Sequence, residues 1–355
     1  MARWEHVQER IIESLRIWIP NGDIEISGSA LCRSIPFDDM DDVSLGLRLR
    51  IGKHRLYIHW KSTSSSAAIL HAIHFLKSDR EKDIPIVAVP FMGPTGKKLC
   101  ENERIGWMDL SGNALIHAPD LLVNISGRPN KYVTRGRKSS VFAPKSSRII
   151  RWMLMNPRAS FTNRQLVHDT GVDPGHISRI LDRLLKSAYV SRSDTGKYSL
   201  HDPKLLLEDW RTAYDFFRQN EVIRGHIPAT SSEVLVKQLA DGLTPENVPQ
   251  FAFTGLAAAW QYIHWATFRL VTVYLTSPPD PDLLRVLRFR EEPRGANTWL
   301  VIPKDEGVFV GSESPSGIRC VSRLQTYLDL KDQPERSAEA AEELYRTLDL
   351  GEKSG

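Results

Sequence analysis

The sequence predicts an α/β (α+β) multidomain chain, with two mixed segments flanking a short unit of three helices and a hairpin. Three observations lead there. The 355 residues are 41% hydrophobic and 25% charged, which suits an ordinary globular protein with room for two or three cores. The apolar spacing switches between strand-like and helix-like periods both before residue 127 and after residue 203. Between those segments, residues 121–168 hold ten lysines and arginines and no aspartate or glutamate.

The first segment, 1–127, opens with an amphipathic helix expected over Met1–Pro20, which lacks the apolar core of a secretory signal. Val43–Ile51 and Arg55–Trp60 are β-rich, and Gly52-Lys53 between them suits a tight hairpin. Ala67–Ser78 places Ile69, Leu70, Ile73 and Leu76 on one helical face. Ile84–Val89 is a continuous apolar run, expected of a strand covered on both sides. Pro94–Glu103 suits a helix, and Leu115–Ile116 and Leu121–Ile125 suit short strands. Together they predict an α/β domain around a mixed sheet.

The middle segment begins with a basic arm, 128–146, rich in Arg, Lys, Ser and Gly. Residues 147–202 follow as a unit. Ser147–Asn156 is a helix stopped by Pro157, and Thr162 or Asn163 caps a second that ends at Thr170-Gly171. Asp173-Pro174 supplies the N-cap and first-turn proline of a third helix, Pro174–Ser187, with Ile177, Ile180, Leu181 and Leu184 inward. Tyr189–Ser193 and Lys197–Leu200 form a hairpin around Asp194-Thr195-Gly196. Helix, helix, helix and hairpin in that order is the plan of a winged helix-turn-helix.

The third segment, 203–348, opens with helices Pro203–Gln219, Ser231–Asp241 and Phe251–Trp265. Strands are expected at Leu270–Thr276, Thr298–Pro303, Gly307–Val310 and Gly317–Val321. Helices around Leu324–Leu330 and Arg336–Leu348 precede a frayed tail, 349–355. The longest apolar run, Phe251–Trp260, is too short and interrupted to span a bilayer. Three scattered cysteines argue against a disulfide framework or a cysteine zinc site. A cytoplasmic, nucleoid-associated protein without a cofactor is expected, with no membrane partner.

The charge block points to a polyanion, and its position points to DNA. A positive field of this length attracts nucleic acid in a salt-dependent way. The third helix of a helix-turn-helix enters the major groove, so His176, Ser178 and Arg179 are placed to meet bases. Arg183 and Lys186, further along, suit phosphates, as do Arg192 and Lys197 beside the hairpin tip and Arg135, Arg137, Lys138, Lys145 and Arg148 of the arm and first helix. A charged helix face also serves protein docking, and that alternative stays open here. The stretch Val172–Arg192 resembles the recognition helix and wing of MarR-like and IclR-like regulators.

Two elements raise enzymes. The hairpin, helix and apolar strand of the first segment resemble the restriction-endonuclease-like PD-(D/E)xK core. That resemblance implies metal-binding carboxylates and a lysine that polarises the attacking water. Asp41 or Asp42 would be the first acid, and the acid-x-lysine triplet falls on His59-Trp60-Lys61. His59 replaces the carboxylate, and imidazole is a poor ligand for a hard cation, so a degenerate domain is expected, with Lys61 left for a phosphate. A Mg²⁺-dependent nuclease of a defence or repair system is the alternative. Phe253–Ala258 resembles the small-residue turn of nucleotidyltransferases, but Leu270–Thr276 carries no acid for the metal pair, so that domain too reads as degenerate. Asp109–Asn113 has the composition of a turn, and Gly93–Lys98 lacks phosphate-loop spacing. His71 and His74 share a helix and make no recognised metal motif.

Four stretches resemble the AbiEi-like antitoxin and transcriptional-regulator family of type IV toxin–antitoxin systems. They are Arg104–Ile116 with Trp107–Asn113, the winged helix followed by Tyr198–Leu200, Asp202-Pro203 and Trp210, then Phe253–Ala258, and Val321–Leu330 leading to Arg336 and Ala340-Ala341. The resemblance implies a non-enzymatic, autoregulating repressor that opposes a nucleotidyltransferase-type toxin. A homodimer on paired half-sites is expected.

Overall fold

The computed structural model describes residues 2–19, 23–32, 44–79, 83–132, 141–244, 247–265, 267–292 and 294–351. The architecture is α/β throughout, with thirteen α-helices and fifteen strands in three sheets among the described residues. No helix of these residues is long and apolar enough to cross a membrane.

The first third of the chain runs α1 (Ala2–Trp18), β1 (Ile24–Cys32), β2 (Ser44–Ile51), β3 (His54–Trp60), α2 (Ser66–Ser78), β4 (Ile84–Val89), α3 (Pro94–Asn102), β5 (Gly106–Asp109), β6 (Ala114–Ala118) and β7 (Leu121–Ile125). The seven strands lie in sequence order in one mixed sheet, parallel only across β3–β4 and β4–β5. Gly52, at φ +55°, turns the β2–β3 hairpin in which Ile51 pairs with His54. Side-chain alternation gives the sheet two apolar faces. Ile11 and Leu15 of α1 meet Leu47, Leu49, Ile58, Ile86 and Ala88 on one. Ile69, Ile73 and Leu76 of α2 meet Tyr57, Val87 and Val89 on the other. The continuous apolar run of β4 is thus explained, because both its faces are covered.

The middle of the chain gives α4 (Pro144–Met155), β8 (Ser160–Phe161), α5 (Asn163–Thr170), α6 (Pro174–Lys186), β9 (Val190–Arg192) and β10 (Tyr198–Leu200). The last third gives α7 (Pro203–Ala213), α8 (Phe216–Gln219), β11 (Asn220–His226), α9 (Ser232–Gly242), β12 (Phe251–Thr254), α10 (Gly255–Ile263), β13 (Val271–Leu275), α11 (Pro281–Val286), β14 (Arg290–Glu291), β15 (Thr298–Pro303), α12 (Arg323–Asp329) and α13 (Ser337–Tyr345).

Two compact units emerge, and they do not coincide with the segments read from the sequence. The first comprises Met1–Ser139, Arg158–Gln165 and Asp173–Asp209, and the second Ser140–Pro157, Leu166–Val172 and Trp210–Gly355. The stretch with winged-helix order is therefore shared between them. In the first unit β8, β10 and β9 form a small antiparallel sheet, with Tyr198 paired to both Phe161 and Arg192. Asp209 ties this part to the large sheet's helical layer. It accepts hydrogen bonds from Ser66 N at 3.2 Å, from Ser66 Oγ at 2.7 Å and from the Tyr189 hydroxyl. Ser65 Oγ donates to the carbonyl of Ser187, just past α6, at 2.8 Å.

In the second unit the five-stranded sheet has the order β12-β13-β15-β11-β14, parallel only at β13–β15. Several expectations are corrected here. Phe251–Trp265 is not one helix: Phe251–Thr254 pairs antiparallel with β13, and the helix starts at Gly255, whose φ of +61° suits glycine. Pro203–Gln219 is broken at Tyr214, and Asp215 caps a new turn by accepting from Arg218 N. Gly307–Val310 is a 3₁₀ turn over Glu306–Phe309, because Asp305 caps it, rather than a strand. Gly317–Val321 contributes only isolated bridges at Cys320.

Candidate nucleic-acid interface

Residues 173–186 form the helix their sequence calls for. Asp173 Oδ1 accepts from His176 N at 3.0 Å, and Pro174 occupies the first turn, where its missing N–H costs nothing. Ile177, Ile180, Leu181 and Leu184 are fully buried, each stabilising by roughly 1.5–3 kcal/mol. This anchoring leaves the opposite face outward. Ser178, Arg179, Asp182 and Lys186 are exposed, and His176 and Arg183 are half-buried. At Gly175 a side chain would meet only Asp173 Oδ1, at 3.3 Å.

The outward residues differ in what they can offer. Arg179 has no hydrogen bond or ion pair among the described residues, so its planar donor set is available to a base edge or phosphate. Lys186 pairs with Asp182 at 3.1 Å, one turn away, a contact that solvent screens and a phosphate can replace. Ser178 is engaged on both sides. Its hydroxyl donates to Pro174 O at 3.0 Å and accepts from Asn163 Nδ2 at 3.1 Å. Ser178 therefore fixes the start of α5 against α6 more than it offers a free donor.

The hairpin tip is ordered by its own backbone. Ser193 N donates to Lys197 O and Gly196 N to Ser193 O, each at 2.8 Å, with Gly196 at φ +77°. Lys197 is exposed, and the Arg192 guanidinium carbon lies 5.5 Å from the Tyr198 ring centre. Arg158 and Arg164, on the same unit, are also exposed. Nothing acidic except Asp173, Asp182 and Asp194 interrupts residues 158–165 and 173–200.

The basic arm divides. Arg135, Arg137 and Lys138 lie outside the described residues. Lys145 is exposed in the second unit. Arg148 faces inward to Asp305, with Nε 2.7 Å from Oδ1, and this pairing raises its pKa further. Arg151 is buried altogether. Two of the ten positive charges in 121–168 therefore serve the interior of the second unit.

Asp42 lies outside the described residues. His59 is fully buried on β3, its ring centre 4.5 Å from that of Phe75, and neither ring nitrogen has a hydrogen-bond partner among the described residues. Burial, then the nearby Lys61 and His71, lowers its pKa to about 3, so it stays neutral. Lys61, expected at a phosphate, is 1% exposed. Asp109 ends β5 as a turn-former: Oδ2 accepts from Met92 N and Asn113 Nδ2, and Oδ1 from Asn113 N. Asn113 in turn holds Arg128 N through Oδ1 at 2.8 Å. Among the described residues no three His, Cys, Asp or Glu side chains converge as metal ligands do.

Sequence reasoning missed the contribution of Asn163 and the Asp209 clamp. Asn163 appears there only as one of two possible caps, and Thr162 Oγ1 takes that part by accepting from Gln165 N. No protein family, curated protein or solved structure compared with the chain matches it.

Proposed function

We propose that this chain is a sequence-specific, non-enzymatic DNA-binding transcriptional regulator. Its partner is double-stranded DNA, with α6 in the major groove and the β9–β10 hairpin beside it as the wing. The carrying observation is the outward face of α6, where Arg179 stands exposed and, among the described residues, unpaired on a helix whose other face is anchored by four buried apolar residues. A planar bidentate donor on a rigid helix is what reading a guanine edge requires. His176 adds a second polar group at the helix start. Arg183, Lys186, Arg192 and Lys197 supply phosphate contacts, joined by Arg158 and Arg164.

The sequence resemblance extends this reading to an autoregulating, antitoxin-like repressor acting as a homodimer and opposing a nucleotidyltransferase-type toxin. The β3 positions favour this over a nuclease, since an uncharged imidazole stands where the carboxylate would be needed. The test is a gel shift with the chain's own upstream DNA against a scrambled duplex of equal length. Preference for the native sequence that weakens steeply with salt supports the reading. Equal affinity for both duplexes contradicts sequence-specific regulation, and Mg²⁺-dependent cleavage contradicts the non-enzymatic assignment.

A further inference from the structure

The second unit carries an exposed aromatic and cationic surface of its own, at the β11–β14 edge of its sheet. Strand pairing fixes which side chains share it. Arg224 stands opposite Trp299 across β11 and β15, and His226 opposite Arg290 across β11 and β14. Side chains alternate along a strand, so Arg224, His226, Trp299 and Arg290 all project from one face. Helix α8 brings Phe217 to the same face, its ring centre 5.6 Å from that of Trp299 at an interplanar angle of 64°. The Arg224 guanidinium carbon lies 5.2 Å from each of these two ring centres. All these residues belong to the second unit.

The surface is open to solvent. Phe217 is 41% exposed over Trp299, and Arg218, Arg224, His226 and Arg290 are exposed. None of the three guanidinium groups has a hydrogen bond or ion pair among the described residues. The cations are spread along β11. Arg218 lies toward its start, where Lys304 Nζ donates to the Arg218 carbonyl at 2.6 Å, and Arg290 lies toward its end. Neighbouring acids do not pair with them. By the same alternation Glu221 and Glu291 fall on the opposite face. Glu292 and Asp215 turn to backbone: Glu292 Oε1 accepts from Arg294 N at 3.3 Å, and Asp215 Oδ1 from Arg218 N at 2.9 Å.

Charge and rings together select the partner. Three unpaired guanidinium groups complement a polyanion, and an acidic peptide would use no more than that. Phe217 and the ring-bound Arg224 add a platform on which a nucleobase can stack while cations along the strand meet phosphates. A duplex keeps its bases stacked on one another, whereas a single strand can splay them onto such a platform. We infer that this surface binds single-stranded nucleic acid, with a base on Phe217 beside Arg224 and phosphates on Arg218 and Arg290. The inference does not rest on the duplex reading proposed for α6.

Fluorescence anisotropy on the full chain tests it with labelled oligo(dT) and oligo(U) of about twelve nucleotides and a labelled poly-glutamate peptide. Salt-dependent binding of an oligonucleotide, tighter than that of the peptide, is expected, and a preference between the two oligonucleotides identifies DNA or RNA as the source. Phe217→Leu keeps an apolar side chain over Trp299 but removes the stacking face, and should weaken binding by about 5- to 150-fold. Arg290→Ala, with no partner to lose among the described residues, should reduce the salt slope by about 0.7. Arg179→Ala should leave oligonucleotide affinity unchanged, which separates this surface from α6. Photo-crosslinking of oligo(U) to the unmodified chain, mapped by mass spectrometry, should place the adduct on the peptide that contains Phe217, whether or not the Leu variant folds. Absence of oligonucleotide binding, equal or tighter binding of the peptide, or loss of binding in Arg179→Ala would overturn the inference. Affinity unchanged in both Phe217→Leu and Arg290→Ala would do so too.

Discussion

The carboxylate of Asp209 is the best place to perturb the first unit, because three donors from two separate stretches converge on it. Ser66 N and Oγ come from the start of α2, and the Tyr189 hydroxyl from the residue before β9. Ser66 and Tyr189 are 2% and 5% exposed, so donors released by Asp209→Ala cannot turn to bulk water. Burial, with the carboxylate beside it, already holds the Tyr189 phenol well above its usual pKa. A hydrogen bond to a charged group contributes about 1.5–3 kcal/mol, and stranding the remaining donors adds to its loss. Asp209→Ala should therefore cost about 3–5 kcal/mol, and Tyr189→Phe about 1.5–2 kcal/mol. The two are in contact, so they should not add: the double variant should fall short of the sum by at least 1 kcal/mol. Urea unfolding of the four proteins measures this directly. Additive losses would refute the clamp and reduce Asp209 to a surface carboxylate.

Three further outcomes follow from buried groups. His59→Leu should be neutral or stabilising near pH 7, since it removes two unpartnered ring nitrogens. It should also flatten acid destabilisation between pH about 6.5 and 3: the folded pKa is lowered to about 3, so the unfolded state binds the extra proton and stability is lost as pH falls. A steeper acid transition in the variant would contradict this. Asp329 acts with the opposite sign. Burial, opposed by hydrogen bonds from Thr254, Tyr214, Gln325 and Tyr274, raises its pKa to about 6. Its stabilising contribution is then complete below pH about 4 and is lost as pH rises through 6. Asp329→Asn should show a smaller fall in Tm across that window, and an unchanged profile would count against the assignment. Gly225→Ala should destabilise by roughly 1–3 kcal/mol in chemical denaturation, since its Cβ would lie 2.1 Å from Phe289 and 2.5 Å from Arg290 O. A loss below 0.5 kcal/mol would show that β14 yields easily.

Much of this was legible where local chemistry decides structure. The Asp173-Pro174 start, the 177-180-181-184 apolar stripe and the Gly52 and Gly196 turns act within a few residues, and the structure has them where the sequence placed them. Partnership at a distance was not legible. Ile24–Cys32, a stretch for which the sequence predicts no element, pairs along β2 as an edge strand. Phe251–Thr254 continues a helical apolar pattern, and only pairing with β13 makes it extended. The charge of Arg148 and Arg151 was plain, but their destination was set by Asp305 and Gln325, more than 150 residues away. Ser178 looked like a base-reading hydroxyl because Asn163, its partner, lies in another helix.

The central claim is that α6 reads sequence through Arg179 while neighbouring cations hold phosphate. It is tested by fluorescence anisotropy with the native upstream duplex and a scrambled one, from 50 to 200 mM salt, for the unmodified chain, Arg179→Ala and Lys186→Ala. Arg179→Ala should leave Tm nearly unchanged, because the side chain has no partner among the described residues. It should weaken native-sequence binding by about 5- to 150-fold, the loss of one bidentate base contact of about 1–3 kcal/mol, with far less effect on the scrambled duplex. Lys186→Ala should weaken both duplexes alike and reduce the salt slope by about 0.9. Equal losses on both duplexes in Arg179→Ala, or no loss on either, would contradict the account.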